Sequence, residues 1–257
     1  MHTRMDIVSY GISPEQFQQL IFSIQHEIRR IENLISRYVD DSPVYLINHA
    51  KEKNISNIDP ELFDLLLRCN RYHELTLEYF DITFNSSINT SNKDYQSSQR
   101  QVFIIDEKNQ SLKFLQSPDI DLGGIGKGYA LEKIIPILSK YKIENILISF
   151  GESSILAAGH HPYGDCWKIA VSHPEKIESI HEWTLRDQCL STSASSTGHI
   201  INPKTGEPVK IKRIVSAMSV NAEEAEAIST ALVAAEKSDI EKVKNNFSSA
   251  EIVIFDY

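Results

Sequence analysis

The spacing of hydrophobic residues predicts a long amphipathic helix near the start of the chain. Ser13 and Pro14 mark its beginning, because serine caps a first turn and proline suits the first helical position, and Gln16 completes a capping box. Apolar residues then recur at helical spacing over residues 17–35, which predicts a helix of about 22 to 25 residues. A second helix with a broad apolar face is predicted over residues 59–78.

Short apolar runs between polar turns predict several strands and further helices in the rest of the chain. Strands are predicted at 102–105, 112–115, 145–150, 167–171, 214–220 and 251–255, a helix-like segment at 129–135, and an alanine-rich helix at 222–237. Pro136 is expected to kink or restart the helix before it. The polar residues 85–101 predict a surface loop or hairpin arm. Because neither a strict βαβ rhythm nor a repeat is visible, the pattern favours the α+β class, with packed helices and sheets in a single compact domain.

Composition narrows the class of protein. Of 257 residues, 41% are hydrophobic and 24% charged, which is typical of a soluble globular protein. The formal net charge of −9 disfavours a sequence-independent nucleic-acid binder, which needs a basic face. The three cysteines are far apart and form no C-x-x-C pair, so they predict reduced thiols rather than a zinc or redox site. No N-terminal apolar run has the length of a signal peptide or membrane span, which predicts a cytoplasmic protein without membrane insertion.

A glycine-rich loop, Asp121-Leu-Gly-Gly-Ile-Gly-Lys-Gly-Tyr-Ala130, is the first candidate for chemistry. Such a loop before a helix offers N–H groups and a positive dipole end to an anion, typically a phosphate. The Walker A pattern fails because Gly128 follows Lys127, and the dinucleotide pattern fails because Tyr129 and Leu131 stand where glycine is needed. The loop alone leaves a second interpretation open, a tight turn between a strand and a helix.

Two further places hold residue types suited to catalysis. His199 lies in an apolar-flanked segment just after a run of hydroxyl residues. Glu226 and Thr230 are spaced i, i+4 on one helix face and could supply two hard oxygens to Mg²⁺. Taken alone, His199 is also consistent with a structural histidine, and the helical pair with an ordinary surface or capping pair.

Five segments, in chain order, resemble motifs of the ApbE family, the FAD:protein FMN transferases. They are Ser36-Arg37-Tyr38 with Asp41-Ser42 and Asn48, the segment Phe80-Asp81-Ile82-Thr83, the glycine loop, His199-Ile-Ile-Asn-Pro-Lys-Thr-Gly-Glu-Pro208, and Ala225-Glu226-Ala-Ile-Ser-Thr230-Ala-Leu232. The resemblance covers about residues 20–235. It implies one flavin transferase domain over residues 1–257, with a helical part at about 13–80 and a core at about 100–257.

The resemblance implies a specific reaction. A member of this family transfers FMN from FAD to a threonine or serine hydroxyl of a target flavoprotein and releases AMP, with Mg²⁺ on the pyrophosphate. The implied metal ligands are the Gly124 carbonyl, Glu226 and Thr230, and the implied base is His199. Contacts to FAD are implied for Tyr38, Tyr79, Phe80, Asp81, Asp121, Gly123, Lys127 and the backbone near Ile201. Phosphoryl transfer has these same needs: charge neutralisation, N–H donors and a base on the nucleophile.

The chain also departs from the family pattern. The M-G-T strand at the start of the family is missing, Glu78 replaces a glycine, and the N-x-G-G turn is altered at residues 149–152. Asn202 and Glu226 stand where the family has aspartates. The longer Glu226 favours weaker Mg²⁺ binding, or a more permissive cation such as Mn²⁺ or Ca²⁺. Two alternatives follow: a pyrophosphatase that hydrolyses FAD to FMN and AMP, or a catalytically decayed relative that binds flavin or a partner.

Overall fold

A computed structural model of the chain describes residues 3–83, 103–115, 119–195 and 200–257. The predicted polar arm at 85–101 lies outside these residues. The helices are α1 (Pro14–Ile35), α2 (Pro43–Asn48), α3 (Pro60–Leu75), α4 (Gly126–Lys140), α5 (Ala222–Ala234) and α6 (Lys237–Asn245). The strands are β1 (Met5–Ser9), β2 (Asn54–Ile55), β3 (Phe103–Asp106), β4 (Ser111–Phe114), β5 (Ile146–Phe150), β6 (Ser154–Ala158), β7 (Trp167–Ser172), β8 (Ser179–Leu185), β9 (Gln188–Ala194), β10 (Arg213–Ser219) and β11 (Glu251–Asp256).

The described strands form three antiparallel sheets. The main sheet has six strands in the order β1-β5-β6-β9-β10-β11, and the smaller sheets are β2-β4-β3 and β7-β8. Helices pack against these sheets rather than alternating with parallel strands, so the predicted α+β class is confirmed. Among the described residues, no helix combines the length and apolar character needed to cross a bilayer.

The middle of the main sheet is buried on both faces. Successive side chains of a strand point to opposite sides, and in β10 Val215 and Ala217 join the core under the helices while Ile214 and Met218 join the core under β7-β8. Helix α5 lies against β9 and β10 on one side and against α4 on the other. Its alanines let the α5 backbone approach both neighbours closely, which brings α5 beside the glycine loop at the start of α4.

The first helix forms as predicted, with one difference at its cap. Helix α1 covers 22 residues, and the Ser13 hydroxyl accepts the Gln16 backbone N–H at 3.2 Å. The Gln16 side chain does not close a capping box but donates to the Tyr141 carbonyl at 2.8 Å. Tertiary contact with the end of α4 therefore replaces the predicted local bond.

Several predicted boundaries are wrong because tertiary contacts override the local pattern. Helix α3 ends at Leu75 rather than at residue 78, since Leu77 and Glu78 take positive φ angles of 53° and 68°. Helix α4 starts at Gly126 and continues through Pro136 to Lys140, with the proline on its exposed side. Strand β1 pairs with β5, so a strand is present at the start of the chain although the family's M-G-T residues are not.

The alanine-rich helix predicted over 222–237 ends at Ala234, and a separate helix that was not predicted, α6, begins at Lys237. Extended backbone at Ala235 and Glu236 divides the two helices. Arg213, with 1% of its side chain exposed, donates to the carbonyls of Leu232 at 3.0 Å and Ala235 at 2.7 Å and forms an ion pair with Asp256 at 2.6 Å. The guanidinium satisfies carbonyls that the end of α5 would otherwise leave unpaired.

Replacing Arg213 by methionine should lower the free energy of unfolding by about 3 to 5 kcal/mol, because it leaves two buried carbonyls without a donor and leaves Asp256 only the more distant Lys237. Hydrogen bonding to Arg213 lowers the pKa of Asp256. A lowered folded-state pKa stabilises the protein above the unfolded-state value, so the wild-type advantage should shrink as the pH falls below about 4. Urea denaturation at several pH values measures this.

The matched control is Lys212→Met at the position next to Arg213. It removes an exposed ion pair between Lys212 and Glu175. It should change stability little, since exposed ion pairs contribute little. Equal stability of Arg213→Met and Lys212→Met would contradict the role given to Arg213.

Candidate active site

Seven of the predicted site residues line one small cavity. This Thr230 cavity has a volume of about 110 Å³ and lies between the start of α4, helix α5 and the segment after α3. Its lining residues are Tyr79, Phe80, Asp81, Ile82, Asp121, Gly124, Ile200, Ile201, Pro203, Thr230 and Ala234. Residues from four of the five motif segments therefore meet at one place.

A second cavity adjoins the first. This Tyr38 cavity has a volume of about 150 Å³ and is lined by Glu32, Ile35, Ser36, Arg37, Tyr38, Asp121, Leu122, Gly123 and Gly126. Tyr38 is 81% exposed, so its ring is open to a ligand or partner. Asp121 lines both cavities, which makes its carboxylate their shared wall.

Arg37 holds the Asp121 carboxylate in place, a role that the sequence analysis missed. Its Nη1 lies 3.2 Å from Oδ2 of Asp121 and its Nη2 lies 2.7 Å from Oδ1 of Asp119. The other Asp121 oxygen accepts the N–H of Gly123 at 2.8 Å. The position of Arg37 inside the Ser36-Arg37-Tyr38 motif was the one feature of the sequence that could have indicated this role.

Most N–H groups of the glycine loop already have partners within the protein. Between residues 123 and 128, Gly123 donates to Asp121, Ile125 and Gly126 donate to the Leu122 carbonyl, and Gly128 donates to Glu226. The loop is therefore not an open nest of donors. A phosphate at this place would be attracted mainly by the charge of Lys127 and the positive end of α4.

Glu226 clamps this loop from α5. Its side chain is 3% exposed, its Oε1 lies 2.6 Å from the Lys127 ammonium, and its Oε2 accepts the Gly128 N–H. The Ser154 hydroxyl lies 3.4 Å from Oε1. The Lys127 ammonium balances the charge of the buried Glu226 carboxylate. A buried charge needs such a partner.

The predicted metal ligands suit a hard cation, although one is already engaged. The Thr230 hydroxyl lies 3.4 Å from the Gly124 carbonyl oxygen, and both residues line the Thr230 cavity. Together with the Glu226 carboxylate they are all oxygen donors, as Mg²⁺ prefers. The described residues hold no cluster of three or more histidine, cysteine, aspartate or glutamate side chains that could bind a metal. A cation bound by these three residues would compete with Lys127 for Glu226.

The aromatic wall of the Thr230 cavity is held by buried hydrogen bonds. Tyr79 and Phe80 are each 2% exposed. The Tyr79 hydroxyl donates to Asp239 at 3.0 Å and accepts the Glu236 N–H at 3.2 Å. Burial raises the pKa of Tyr79 to about 12, so the hydroxyl stays protonated at neutral pH. Only the ring and backbone of Tyr79 therefore remain for contact with a ligand.

The predicted base, His199, lies outside the described residues. The next two residues, Ile200 and Ile201, line the Thr230 cavity. Ile201 forms an isolated antiparallel bridge with Pro208. The Asn202 side chain accepts the Lys204 N–H at 2.9 Å, which closes the turn between them.

These features define a candidate ligand site between a glycine-rich helix start and a second, alanine-rich helix of an α+β fold. The sequence model of the ApbE family matches residues 1–254, and the chain belongs to this family.

Curated and solved relatives agree with this assignment. A protein of Buchnera aphidicola named FAD:protein FMN transferase is 27% identical over 243 residues, covering 82% of this chain and 71% of that protein. One of the same name from Chlamydia trachomatis is 25% identical over 253 residues, covering 86% and 78%. The crystal structure of the ApbE protein from Thermotoga maritima matches with a TM-score of 0.81 and 25% identity, covering 97% and 89%. Flavin transferase ApbE from Vibrio cholerae shares the fold, with a TM-score of 0.80, 18% identity and coverage of 100% and 94%.

Proposed function

We propose that this chain transfers FMN from FAD to a threonine or serine hydroxyl of a target flavoprotein and releases AMP. The observation that carries the proposal is the Thr230 cavity, where residues of four separate motif segments converge. The names of the curated relatives support the same reaction. Hydrolysis of FAD would use the same residues with water as the acceptor.

The proposed mechanism assigns the charge balance to the glycine loop. The pyrophosphate of FAD lies against residues 123–128, where Lys127 and the start of α4 attract negative charge. Lys127 is 25% exposed and so has access to the solvent side as well as to Glu226. Asp121, fixed by Arg37, and the exposed Tyr38 contact the rest of FAD across the two adjoining cavities.

The chemical step needs a base on the acceptor. His199 removes the proton from the acceptor hydroxyl, whose oxygen then bonds to the phosphorus of the FMN moiety. The bond from that phosphorus to the bridging oxygen breaks, and AMP leaves with the bridging oxygen. The Gly124 carbonyl, Glu226 and Thr230 would hold a divalent cation, Mg²⁺ as the first choice or else Mn²⁺ or Ca²⁺, and it would supply charge neutralisation at the pyrophosphate.

One incubation tests the proposal. Purified protein is mixed with FAD and Mg²⁺, with and without an acceptor flavoprotein that carries an exposed threonine or serine. Covalent flavin on the acceptor, seen by in-gel fluorescence, together with AMP release supports transfer. Free FMN and AMP without covalent flavin mean hydrolysis, and no product in either mixture means a catalytically decayed relative.

Replacing His199 by alanine should lower turnover by about 10²- to 10⁴-fold while FAD affinity is largely kept, because a general base acts on the reaction more than on binding. Turnover is measured as AMP release and affinity by quenching of flavin fluorescence. The control is His26→Ala, since His26 is exposed on α1 and lines neither site cavity. If both variants turn over FAD within about twofold of the parent, another residue is the base.

A further inference from the structure

A groove between α1 and β1 lies apart from the candidate active site. Its volume is about 480 Å³, larger than either site cavity and within the range of small-molecule pockets. Its lining residues are Thr3, Met5, Ile7, Phe17, Ile21, Ile24, Gln25, Ile28, Arg29 and Phe150, none of which lines the Thr230 or Tyr38 cavity. We call it the N-terminal groove.

The inner part of the N-terminal groove is apolar. Met5 and Ile7 are two residues apart on β1 and so face the same side of the sheet. Opposite them, Ile21, Ile24 and Ile28 follow one another at helical spacing on α1. Among the described strands, β1 forms one edge of the main sheet. An aliphatic chain would find apolar contacts on both sides of this groove.

One rim of the groove carries an available positive charge. Gln25 and Arg29 are exposed and one helical turn apart on α1. In the described part of the chain, Arg29 takes part in no ion pair, whereas the adjacent Arg30 is held by Glu27 and Glu61. A guanidinium recognises a carboxylate through two parallel hydrogen bonds. A ligand whose anionic head group lies beside Arg29 would therefore match the charge of this rim.

We propose that the N-terminal groove binds a linear aliphatic carboxylate. The chain lies between β1 and α1, and the carboxylate contacts Arg29, with Gln25 as a second donor. This site is separate from the transfer of FMN and does not depend on it.

Methyl NMR of the full chain with decanoate as the probe tests the site directly. The chain has three methionines, of which Met5 lines the groove and Met218 is buried in the core under β7-β8. Decanoate, added below its micelle concentration, should shift the Met5 methyl signal saturably and leave Met218 in place. Met5→Leu assigns the signal. Decylammonium, with the same chain and the opposite charge, should bind more weakly.

Two variants separate the charge from the apolar groove. Arg29→Gln should weaken decanoate binding about tenfold or more, since it removes a charge-assisted hydrogen bond. Ile21→Trp should fill the groove and abolish binding. Its control is Phe22→Trp, because Phe22 is 71% exposed and does not line the groove. Both tryptophan variants should keep the parent's rate of FAD turnover.

Several results would overturn the proposal. An unshifted Met5 signal excludes the site, and joint shifts of Met5 and Met218 indicate a general detergent effect. Equal affinity for decanoate and decylammonium, unaffected by Arg29→Gln, indicates an unselective apolar patch. A dimer in sedimentation that Ile21→Trp dissociates assigns the groove to a second copy of the chain instead.

Discussion

Replacing Gly128 by alanine should destabilise the protein by about 3 kcal/mol, because the added methyl group has no room. A Cβ at this position would lie 2.5 Å from the Ala222 carbonyl oxygen and 2.8 Å from Oε2 of Glu226. Ala222 contributes backbone, so α4 and α5 would have to move apart. Alanine is otherwise favoured over glycine inside a helix by roughly 0.5–1 kcal/mol, and a net loss can therefore be attributed to the contact.

The separation of α4 and α5 should also stop FAD turnover, since it moves Lys127 relative to Glu226. Gly126→Ala on the same helix turn is the matched control for stability alone, since Gly126 lines the Tyr38 cavity. Its Cβ would meet only the terminal methyl group of Ile35 at 3.0 Å, which a flexible side chain can relieve. Urea denaturation and AMP release are measured for both variants. Equal stability of Gly128→Ala and Gly126→Ala would contradict the close contact between α4 and α5 at Gly128.

Replacing Glu226 by glutamine should reduce metal-dependent turnover at least about 100-fold, because charge neutralisation at a phosphate contributes several kcal/mol. The amide cannot balance Lys127 and is a weaker ligand for a divalent cation. Mg²⁺ binding by calorimetry is the second readout and does not depend on activity. The control is Glu224→Gln on the same helix, whose carboxylate accepts the Ser219 hydroxyl at 2.7 Å instead.

Two further variants distinguish a metal ligand from a clamp on the glycine loop. Glu226→Asp keeps the charge but shortens the reach to Lys127 and Gly128, so stability should fall while Mg²⁺ binding is unchanged or stronger. The double variant Lys127→Met with Glu226→Gln removes both charges and should recover stability relative to Glu226→Gln alone, without recovering Mg²⁺ binding. If Glu226→Gln binds Mg²⁺ and turns over FAD like the parent, Glu226 is only a clamp.

Glu223 does not offer a substitute ligand, although it lies near Glu226 in the sequence. Its carboxylate is 5% exposed and pairs with Arg68 of α3 at 2.8 Å. The geometry thus leaves Glu226 as the carboxylate of α5 that faces the loop at the start of α4. Neither helical periodicity nor motif spacing predicts that Glu223 pairs with Arg68 and Glu226 with Lys127.

Local signals predicted the helices well where a cap and an apolar face coincide. Ser13 with Pro14 and Asp59 with Pro60 both start helices as predicted, because the capping hydrogen bonds join residues two or three positions apart. Strands were predicted less completely, and β1, β2, β6, β8 and β9 were missed. Strand β1 forms by pairing with β5, more than 130 residues further along the chain, a contact that the local pattern does not contain.

The sequence predicted which residues belong to the candidate site. It did not predict the hydrogen bonds and ion pairs among them. The motifs identified Asp121, Gly124 and Thr230, which line one cavity, whereas the role assigned to His199 remains a prediction. The role of Arg37 was not predicted, because the position of an arginine in a motif does not show which carboxylate it will pair with.

The amino-acid sequence by itself determined the helix starts, the glycine loop and the order of the family motifs, since these depend on residues within a few positions of each other. Tertiary structure alone decided that Glu226 engages Lys127 and Gly128, residues 99 and 98 positions away. It also decided that α5 ends where Arg213 reaches its carbonyls. A periodic pattern shows which face of a helix is buried, but the partner on that face is set by how the chain packs.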